Sequence, residues 1–596
     1  MQEIWTVYNK GADFKGIGEH LEIDPVLVRV MRNRDLTTEE EMKCYLGRTD
    51  FVGYDKNLLK DVDKASSLVL VALQQKQRIR IIGDYDVDGI VSSYILLRGL
   101  GRIQQVCKIE DGYVDYVIPH RMKDGYGLNR RLIEEAHEDG ISLILTCDNG
   151  IAAVEEIALA KEFGMTVVVT DHHEVQEKIP AADAIVNPKQ KDCSYPFAQI
   201  CGAVVAYKLI AQLYERVSLP EGELELFHPY IAMATVCDVM PLRDENRYIV
   251  KQGLACLEKR WQQGSLEPGL AALIAENQLV DSRITASTLG FVLGPCLNAV
   301  GRLSTAVWGL KLLLEEDEKR AAWRAKRLTQ MNAIRKEMSQ NYEKKACELA
   351  VSTEYEKDRV LVLYLPKCHE SIAGIVAGRV REYTGKPTLL ITDSREKGIV
   401  KGSARSIPEY DMFASLLRQK ELLLKFGGHK MAAGFSLYRE NLGKLRSLLN
   451  QEAQLSDDDV AVKRHIDVVM PVEYITETLV SQMEQLEPFG NGNERPMFAV
   501  RRLCLKRGKI CGKKNNVLRL TFVTEQGKTV NGVFFSDMPQ RLLDPVEEQC
   551  GEPIGEKLKQ GRELNLMVSV LYQPKINEFQ GVRTVELRVL GMKYEE

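Results

Sequence analysis

At 596 residues, with 45% hydrophobic and 28% charged side chains, the chain has the composition of a globular protein with core enough for about three or four domains. No stretch approaches the roughly 18 apolar residues of a membrane span, the charged start MQEIWTVYNK is unlike a signal peptide, and 13 cysteines without a CxxC pair argue against a disulfide framework or a structural zinc, so a cytoplasmic protein without a membrane partner is expected. A net charge of −4 excludes a general attraction to nucleic acid, and affinity for phosphate has to reside in local patches.

Residues 1–60 read as a lead-in with helix signals, among them a capping box at Thr37-Thr38-Glu39-Glu40-Glu41. A first α/β domain is expected over 61–305. Its strand-like run RIRIIG (78–83) stops at Asp-Tyr-Asp-Val-Asp-Gly (84–89), and a helical apolar pattern follows from Ile90 to Leu100. Asp84, Asp86 and Asp88 therefore crowd one turn, where like charges repel unless protonated or balanced by a cation. Next come Arg121 and the Gly125-Tyr126-Gly127 turn, in a PxRxxxGYGLN pattern that suggests a nucleotide contact.

The strand-then-acid arrangement returns twice. ISLILT (141–146) runs into Cys147-Asp148-Asn149-Gly150, and MTVVVT (165–170) runs into Asp171-His172-His173. Short β-branched runs alternating with helical stretches predict βαβ units and a buried parallel sheet, whose strand ends line one ligand-binding edge. That edge gathers Asp86 and Asp88, Asp148, and His172 and His173. Asp238, in the helix-rich stretch 216–305, stands to close the set. Taken singly these are ordinary features, Asp-Asn-Gly being common turn chemistry; their repetition at successive strand ends is not. Four carboxylates with one or two imidazoles exceed the needs of one ion and suit a pair of Mn²⁺ or Mg²⁺ ions sharing a carboxylate, the arrangement that drives displacement at phosphorus. Cys147 and Cys237, beside proposed ligands, are expected to be small buried hydrophobes.

Residues 306–355, dense in Leu, Ala, Lys, Arg and Glu, predict a long connector helix. A second α/β domain is expected over 356–455, with a helical stretch from Ser415 to Phe426 followed by Gly427-Gly428-His429, whose glycines admit a phosphate or sugar and whose imidazole adds a donor. Ser403-Ala404-Arg405-Ser406 is expected to form a short loop able to capture phosphate, and Arg302 in NAVGRL is read as a phosphate clamp against the duller alternative of a helix cap. Over 456–596 strand-like runs separated by turns predict a small barrel. Its segment Arg501 to Leu520 holds eight Lys or Arg and no acid, and Lys506, Arg507, Lys513 and Lys514, the last two in a hairpin turn, are expected to track a single strand.

The motifs GDYDVDG (83–89), TCDNG (146–150), TDHH (170–173) and ATVCDVMPL (234–242) resemble, in order and spacing, the metal-binding motifs of the DHH phosphoesterase superfamily. IPHRMKDGYGLN (118–129), GPCLNAVGRL (294–303), HESIAGIVAGRV (369–380), GSARSI (402–407), GGHKMAAGF (427–435) and LEPFGNGNERPMF (486–498) narrow the resemblance to its single-strand-specific 5′→3′ exonuclease branch, over roughly residues 50–590. The resemblance implies an α/β fold of three parts: a parallel-sheet DHH metal domain, a DHH-associated substrate domain joined to it by the long helix, and an OB-type barrel. It implies two ions on Asp86, Asp88, Asp148, His172 and Asp238, with Asp148 bridging and Asp84 either a further ligand or an acid behind the ligands.

It further implies that His173 stabilises the oxyanion or protonates the leaving group, that Asp171 orients the imidazoles, and that Arg302 and Arg405 recognise a terminal 5′ phosphate. Single-stranded DNA is the implied substrate, with a single-strand-binding protein and a helicase as candidate partners in DNA repair and recombination. Two positions depart from the pattern. Ile82 stands where other branches of the superfamily place a histidine, and Cys296 stands where relatives commonly have Arg, so one phosphate contact is either missing or supplied elsewhere. Two other functions share the fold. A short-oligonucleotide or cyclic-dinucleotide phosphodiesterase is disfavoured by the basic barrel, and a non-catalytic replication scaffold is disfavoured by the complete set of proposed ligands.

Overall fold

Strand β1 (Glu3–Val7) finds its partner at the other end of the chain, pairing in parallel with residues 462–466. The computed structural model describes residues 3–110, 113–512, 515–536, 539–560, 562–579 and 581–595. Helices Phe14–Leu21, Pro25–Asn33 and Glu39–Leu46 follow β1, the third opened by the expected capping box between Thr38 and Glu41. Their apolar faces leave the neighbouring parallel sheet alone: Leu27, Met31 and Met42 share a core with Val472, Leu479 and Phe498 of the C-terminal region. The lead-in is thus structurally part of the far end of the chain.

The strands β2 (Ile79–Ile82), β3 (Val114–Val117), β4 (Leu143–Cys147), β5 (Thr166–Thr170) and β6 (Ala184–Val186) form one wholly parallel sheet in the order β3-β2-β4-β5-β6. Helices Val62–Gln74, Val87–Val106 and Gly202–Arg216 cover one face, and Arg130–Glu138 with Val154–Glu162 cover the other. Both faces being buried explains why the strands read as unbroken apolar runs. The strand order reverses between β2 and β4, and in such sheets the crevice beyond the strand ends at the reversal is where ligands sit. After a helical region comes the connector, a 33-residue helix Glu318–Ala350 capped by Asp317 and about 50 Å long at 1.5 Å per residue.

In the second α/β unit, β7 (Leu361–Tyr364), β8 (Thr388–Asp393), β9 (Ile399–Arg405), β10 (Leu423–His429) and β11 (Ala432–Tyr438) form a mixed sheet in the order β10-β11-β9-β8-β7. Two expectations are corrected here. The helix ends at Arg418, and Leu423 to His429 form the edge strand of a hairpin with β11; a short apolar run such as LLLKF fits either period, and two glycines favour the extended partner-bound form. Ser403 to Arg405 are the last residues of β9, paired with both β8 and β11, and not a loop.

The C-terminal strands β12 (Val462–Ile466), β13 (Val468–Val469), β14 (Phe498–Cys511), β15 (Val517–Val523), β16 (Thr529–Phe535), β17 (Leu566–Phe579) and β18 (Val582–Tyr594) include a closed ladder: β14 pairs β15, β15 pairs β16, β16 pairs β18, β18 pairs β17, and β17 returns to β14. Closure removes the sheet edges and makes this an OB-type barrel. No helix among the described residues is long and apolar enough to cross a membrane.

Candidate metal centre

Strand β2 delivers the first acids. Asp84 is buried, and Asp86 caps helix Val87–Val106, its Oδ1 accepting from the amides of Asp88 (3.0 Å) and Gly89 (3.2 Å). The cap leaves its second oxygen for another partner, so Asp86 can be both helix cap and ligand. Asp88 is fixed differently. Its two oxygens accept from the amides of Gly202 (2.7 Å) and Ala203 (2.8 Å) at the start of helix Gly202–Arg216, where the positive end of the helix dipole favours an anion. The sequence reading missed these two amides; the Gly at the head of an apolar helix pattern is the only local sign of them.

Strand β4 ends at Asp148, which adopts a left-handed φ of 62°, a conformation aspartate tolerates better than most residues. Gly202 is required beside it, since a Cβ there would stand 2.8 Å from Asp148 Cβ. Strand β5 ends at Asp171, whose Oδ1 accepts from the amides of His172 (2.7 Å) and His173 (3.1 Å) and lies 2.8 Å from His173 Nδ1, while Oδ2 accepts from Ile151 N at 2.9 Å. Asp171 is thereby fully engaged in orienting its neighbours. Asp238 arrives at the end of helix His228–Cys237.

These side chains converge. His172 Nε2 lies 3.1 Å from Asp148 Oδ1 and 3.6 Å from oxygens of both Asp88 and Asp238. Three overlapping groups have ligand atoms within 4.8 Å of one another: Asp84, Asp86 and Asp148; Asp148, His172 and His173; and Asp88, His172 and Asp238. Asp148 and His172 each occur in two of the three. Five buried atoms here, Asp84 Oδ1, Asp148 Oδ1, Asp238 Oδ2 and both nitrogens of His172, have no hydrogen-bond partner among the described residues. Leaving such atoms unpaired is costly, and divalent cations with oxygen and imidazole ligands fit the three carboxylate oxygens and His172 Nε2, the nitrogen turned toward Asp148, Asp88 and Asp238, while the other ring nitrogen takes a separate partner.

Electrostatics agree. Burial first, and then mutual repulsion, pushes the carboxyls of Asp84, Asp148 and Asp238 well above the usual range and that of Asp86 upward. Burial holds His172 below its ordinary value. Burial also works against charge on His173, but the contact with Asp171 outweighs it and raises the imidazole. A carboxyl raised on folding contributes stability in full only below the ordinary aspartate value near 3.8, and that contribution is lost as pH rises through the raised value. Without cations the site is therefore destabilising at neutral pH. Asp84→Asn is expected to stabilise the metal-free protein at pH 7 by about 1–2 kcal/mol and to shrink the stabilisation that Mn²⁺ adds; thermal melts with and without chelator test this, and a lower melting temperature in chelator would refute it.

The other candidates fall into place unevenly. The Tyr126 hydroxyl donates to the Asp148 carbonyl (2.9 Å) and lies 3.0 Å from His173 Nδ1, so it braces both residues. Arg121 stacks on Tyr85, 4.7 Å from the ring centre. Arg302 Nη1 donates to the Ser371 carbonyl at 2.8 Å, which bridges the two α/β units. Ser403 and Arg405, two residues apart on β9, share one face, and Gly374 of helix Glu370–Thr384 leaves the room that the Arg405 guanidinium occupies. Burial acts against the charge of Arg302 and of Arg405, and repulsion from Arg121 reaches both. Arg121 is thus the positive charge that Arg302 and Arg405 have in common. Gly427, Gly428 and His429 lie exposed on the β10 edge.

Ile82 is buried in the sheet core, and Cys296 is buried against Asn332. Arg335, whose guanidinium donates to Asn332 Oδ1 (2.9 and 3.1 Å), acts electrostatically on Arg302 and so brings a further positive charge beside Cys296. All 13 cysteines are free thiols, Cys147 being buried and Cys237 half-buried.

On the barrel, the acid-free run acquires acids from a neighbouring turn and from the flanks of β17 and β18. Arg501 pairs with Glu595, Arg502 with Glu525 and Arg507 with Glu563, while Lys506 donates to Asn565. Lys513 and Lys514 lie outside the described residues. Lys509 and Arg519 stand directly opposite each other across β14 and β15, both exposed, and sequence reasoning did not single them out.

Comparison with known proteins gives a consistent result. The DHH family N-terminal domain matches residues 78–232, the DHHA1 domain residues 357–455 and the RecJ OB domain residues 466–591. The single-stranded-DNA-specific exonuclease RecJ of Bacillus subtilis is 33% identical over 588 residues, covering 98% of this chain and 70% of that protein. Its counterpart in Haemophilus influenzae is 31% identical over 601 residues, covering 96% of this chain and 97% of the relative. Among solved structures, RecJ from Thermus thermophilus in complex with Mn²⁺ matches with a TM-score of 0.79 at 26% identity, over 100% of this chain and 80% of that one. The Mg²⁺ complex matches with a TM-score of 0.73 at 25% identity, over 100% of this chain and 79% of that one.

Proposed function

The chain belongs to the RecJ family of DHH phosphoesterases, and from that premise we propose that Asp84, Asp86, Asp88, Asp148, His172 and Asp238 hold two divalent cations at which single-stranded DNA is cut one nucleotide at a time from its 5′ end. The protein is a metal-dependent single-strand-specific exonuclease working with Mn²⁺ or Mg²⁺. The observation that carries the ligand assignment is the convergence of acids and histidines from β2, β4, β5 and the Asp238 loop into three overlapping groups, with buried oxygens of Asp84, Asp148 and Asp238 and a ring nitrogen of His172 left without a hydrogen bond.

When bound, the cations supply a water acidic enough to ionise near neutral pH and neutralise charge building on the phosphate. The chain's own residues do the rest. Asp148, shared between ligand groups, sets the spacing of the two sites. Asp171 and Tyr126 hold His173 at the rim, where its raised proton affinity suits it to donate to the leaving oxygen or to stabilise the oxyanion.

Arg121 repels both Arg302 and Arg405, a cost that a terminal phosphate would offset, and Ser403 adds a hydroxyl on the same face as Arg405. Gly427, Gly428 and His429 present an edge to the sugar-phosphate backbone. On the barrel, Lys506, Arg507, Lys509 and Arg519 grip the strand behind; the pairing of Arg507 with Glu563 is an exposed one, too weak to prevent exchange for phosphate.

We assign catalysis to 61–305 and strand binding to 356–455 and 456–596, joined by 306–355, with 1–60 bracing the barrel. A single-strand-binding protein and a helicase are the proposed partners, because a cleft that admits one strand needs that strand freed, and the cytoplasm is the proposed site of action. The test is 5′-end-labelled single-stranded DNA with Mn²⁺, with and without chelator. Label is expected as mononucleotide, only without chelator; release of long fragments, or cutting that survives chelation, would defeat the reading.

A further inference from the structure

Asp238 alone among the proposed ligands is borne by a loop that another domain holds. The residue after it, Val239, has a φ of 57°, a left-handed conformation that a β-branched side chain adopts only when its surroundings impose it. Part of this comes from the end of helix His228–Cys237 itself, where Val239 N donates to the Val236 carbonyl (3.2 Å) and Met240 N to the Thr235 carbonyl (3.1 Å), and part from the segment leading into the barrel. Asn491 Nδ2 donates to the Val239 carbonyl at 2.7 Å, Leu242 N donates to the Asn491 carbonyl at 2.7 Å, and Arg243 Nε donates to the Gly492 carbonyl at 2.8 Å. Gly490 approaches so closely that a Cβ there would stand 2.7 Å from Leu242 Cδ1.

The loop is itself firmly seated. Gly490 and Asn493 exchange backbone hydrogen bonds of 3.0 and 3.1 Å. The buried Asn493 amide donates to the carbonyls of Leu486 and Pro488 and accepts from Arg34 Nε and the Tyr45 hydroxyl. Arg247, on the catalytic-domain helix that follows Asp238, donates to the carbonyls of Tyr45, Leu486 and Glu487. The N-terminal helices, the 486–493 segment and the catalytic domain are clamped together within a few residues of Asp238.

We propose that Asn491 is a positioning residue for the metal centre: by holding Val239 in its left-handed turn it keeps the Asp238 carboxylate aimed at His172, so that cation affinity depends on the seating of the C-terminal domain against the catalytic domain. Without the amide, Val239 relaxes toward an ordinary conformation, the peptide after Asp238 rotates, and the carboxylate leaves the 3.6 Å contact with His172. The coupling is reciprocal, so a cation on Asp238 steadies the docked barrel segment. This inference rests on Asp238 being a ligand, as proposed above.

The experiment is Mn²⁺ binding to the full-length protein without DNA, by titration calorimetry, for Asn491→Ala, Val239→Gly, the double variant and Asp238→Asn. Asn491→Ala is expected to weaken Mn²⁺ binding about 10- to 100-fold, the range for loss of a residue supporting a ligand. Val239→Gly should bind as wild type, because glycine enters the left-handed region freely, and in the double variant it should recover most of the loss. A merely structural role for Asn491 predicts no such rescue. Wild-type binding by Asn491→Ala beside a weakened Asp238→Asn overturns this inference alone, as does a double variant no better than Asn491→Ala. Undiminished binding by Asp238→Asn overturns the ligand assignment and this inference together.

Discussion

Asp148→Ala is expected to reduce turnover to below about one thousandth of wild type, a larger effect than the 10–100-fold that loss of a supporting residue produces, while single-strand binding stays near normal. The reason is position. Asp148 stands in two of the three ligand groups, with Oδ1 3.1 Å from His172 Nε2 and no hydrogen-bond partner among the described residues, so its loss damages both proposed cation sites at once. The guanidinia of Arg302 and Arg405 and the barrel face, the proposed phosphate contacts, lie on other elements and are left in place. Alanine also fits poorly at a φ of 62°, so Asp148→Asn is the necessary companion: asparagine tolerates the left-handed backbone and removes only the charge. Both variants should be inactive and both should bind DNA in a fluorescence anisotropy assay with chelator present. Turnover retained by Asp148→Asn would show that the shared carboxylate is not a ligand.

The second large effect is expected from Asp171, which touches no proposed cation position. Asp171→Asn should lower kcat about 100-fold with KM for DNA little changed. Its carboxylate accepts from three backbone amides and lies 2.8 Å from His173 Nδ1; an amide group offers one acceptor oxygen and turns an N–H toward donors, which tilts both imidazoles. Burial opposes charge on Asp171, but His173 and the amides keep it below the ordinary aspartate range, and it in turn raises His173. Removing the charge lowers the proton affinity of His173, so at a given pH less of it is protonated. If a protonated His173 serves the leaving group, the alkaline limb of the kcat profile moves to lower pH in Asp171→Asn; an unmoved limb leaves His173 only the oxyanion role.

The convergence of acids and imidazoles was largely legible because it is written in short local signals. An apolar run of strand length followed by an acid specifies both the strand and the ligand at its end, and three such runs in βαβ order imply that the ends share an edge. The connector helix and the barrel strands were legible for the same reason. Where local signals were ambiguous the reading failed: LLLKF before Gly427 fits helix or strand, and pairing with β11 decided for strand. The run Arg501 to Leu520 is free of acid in sequence, yet Glu525, Glu563 and Glu595 reach it across the barrel, since neighbours in a sheet are set by register.

By itself, then, the sequence singled out the acids and histidines that the structure brings together, most of them at strand ends, because strand, turn and acid are encoded within a few residues of one another. Only the tertiary structure decided what holds them. The amides of Gly202 and Ala203 on Asp88, the pairing of β1 with β12, and the Asn491 amide beside Asp238 each join positions far apart in the chain. Contacts of that kind leave no periodic trace, being fixed by how finished elements pack and not by the order of residues within them.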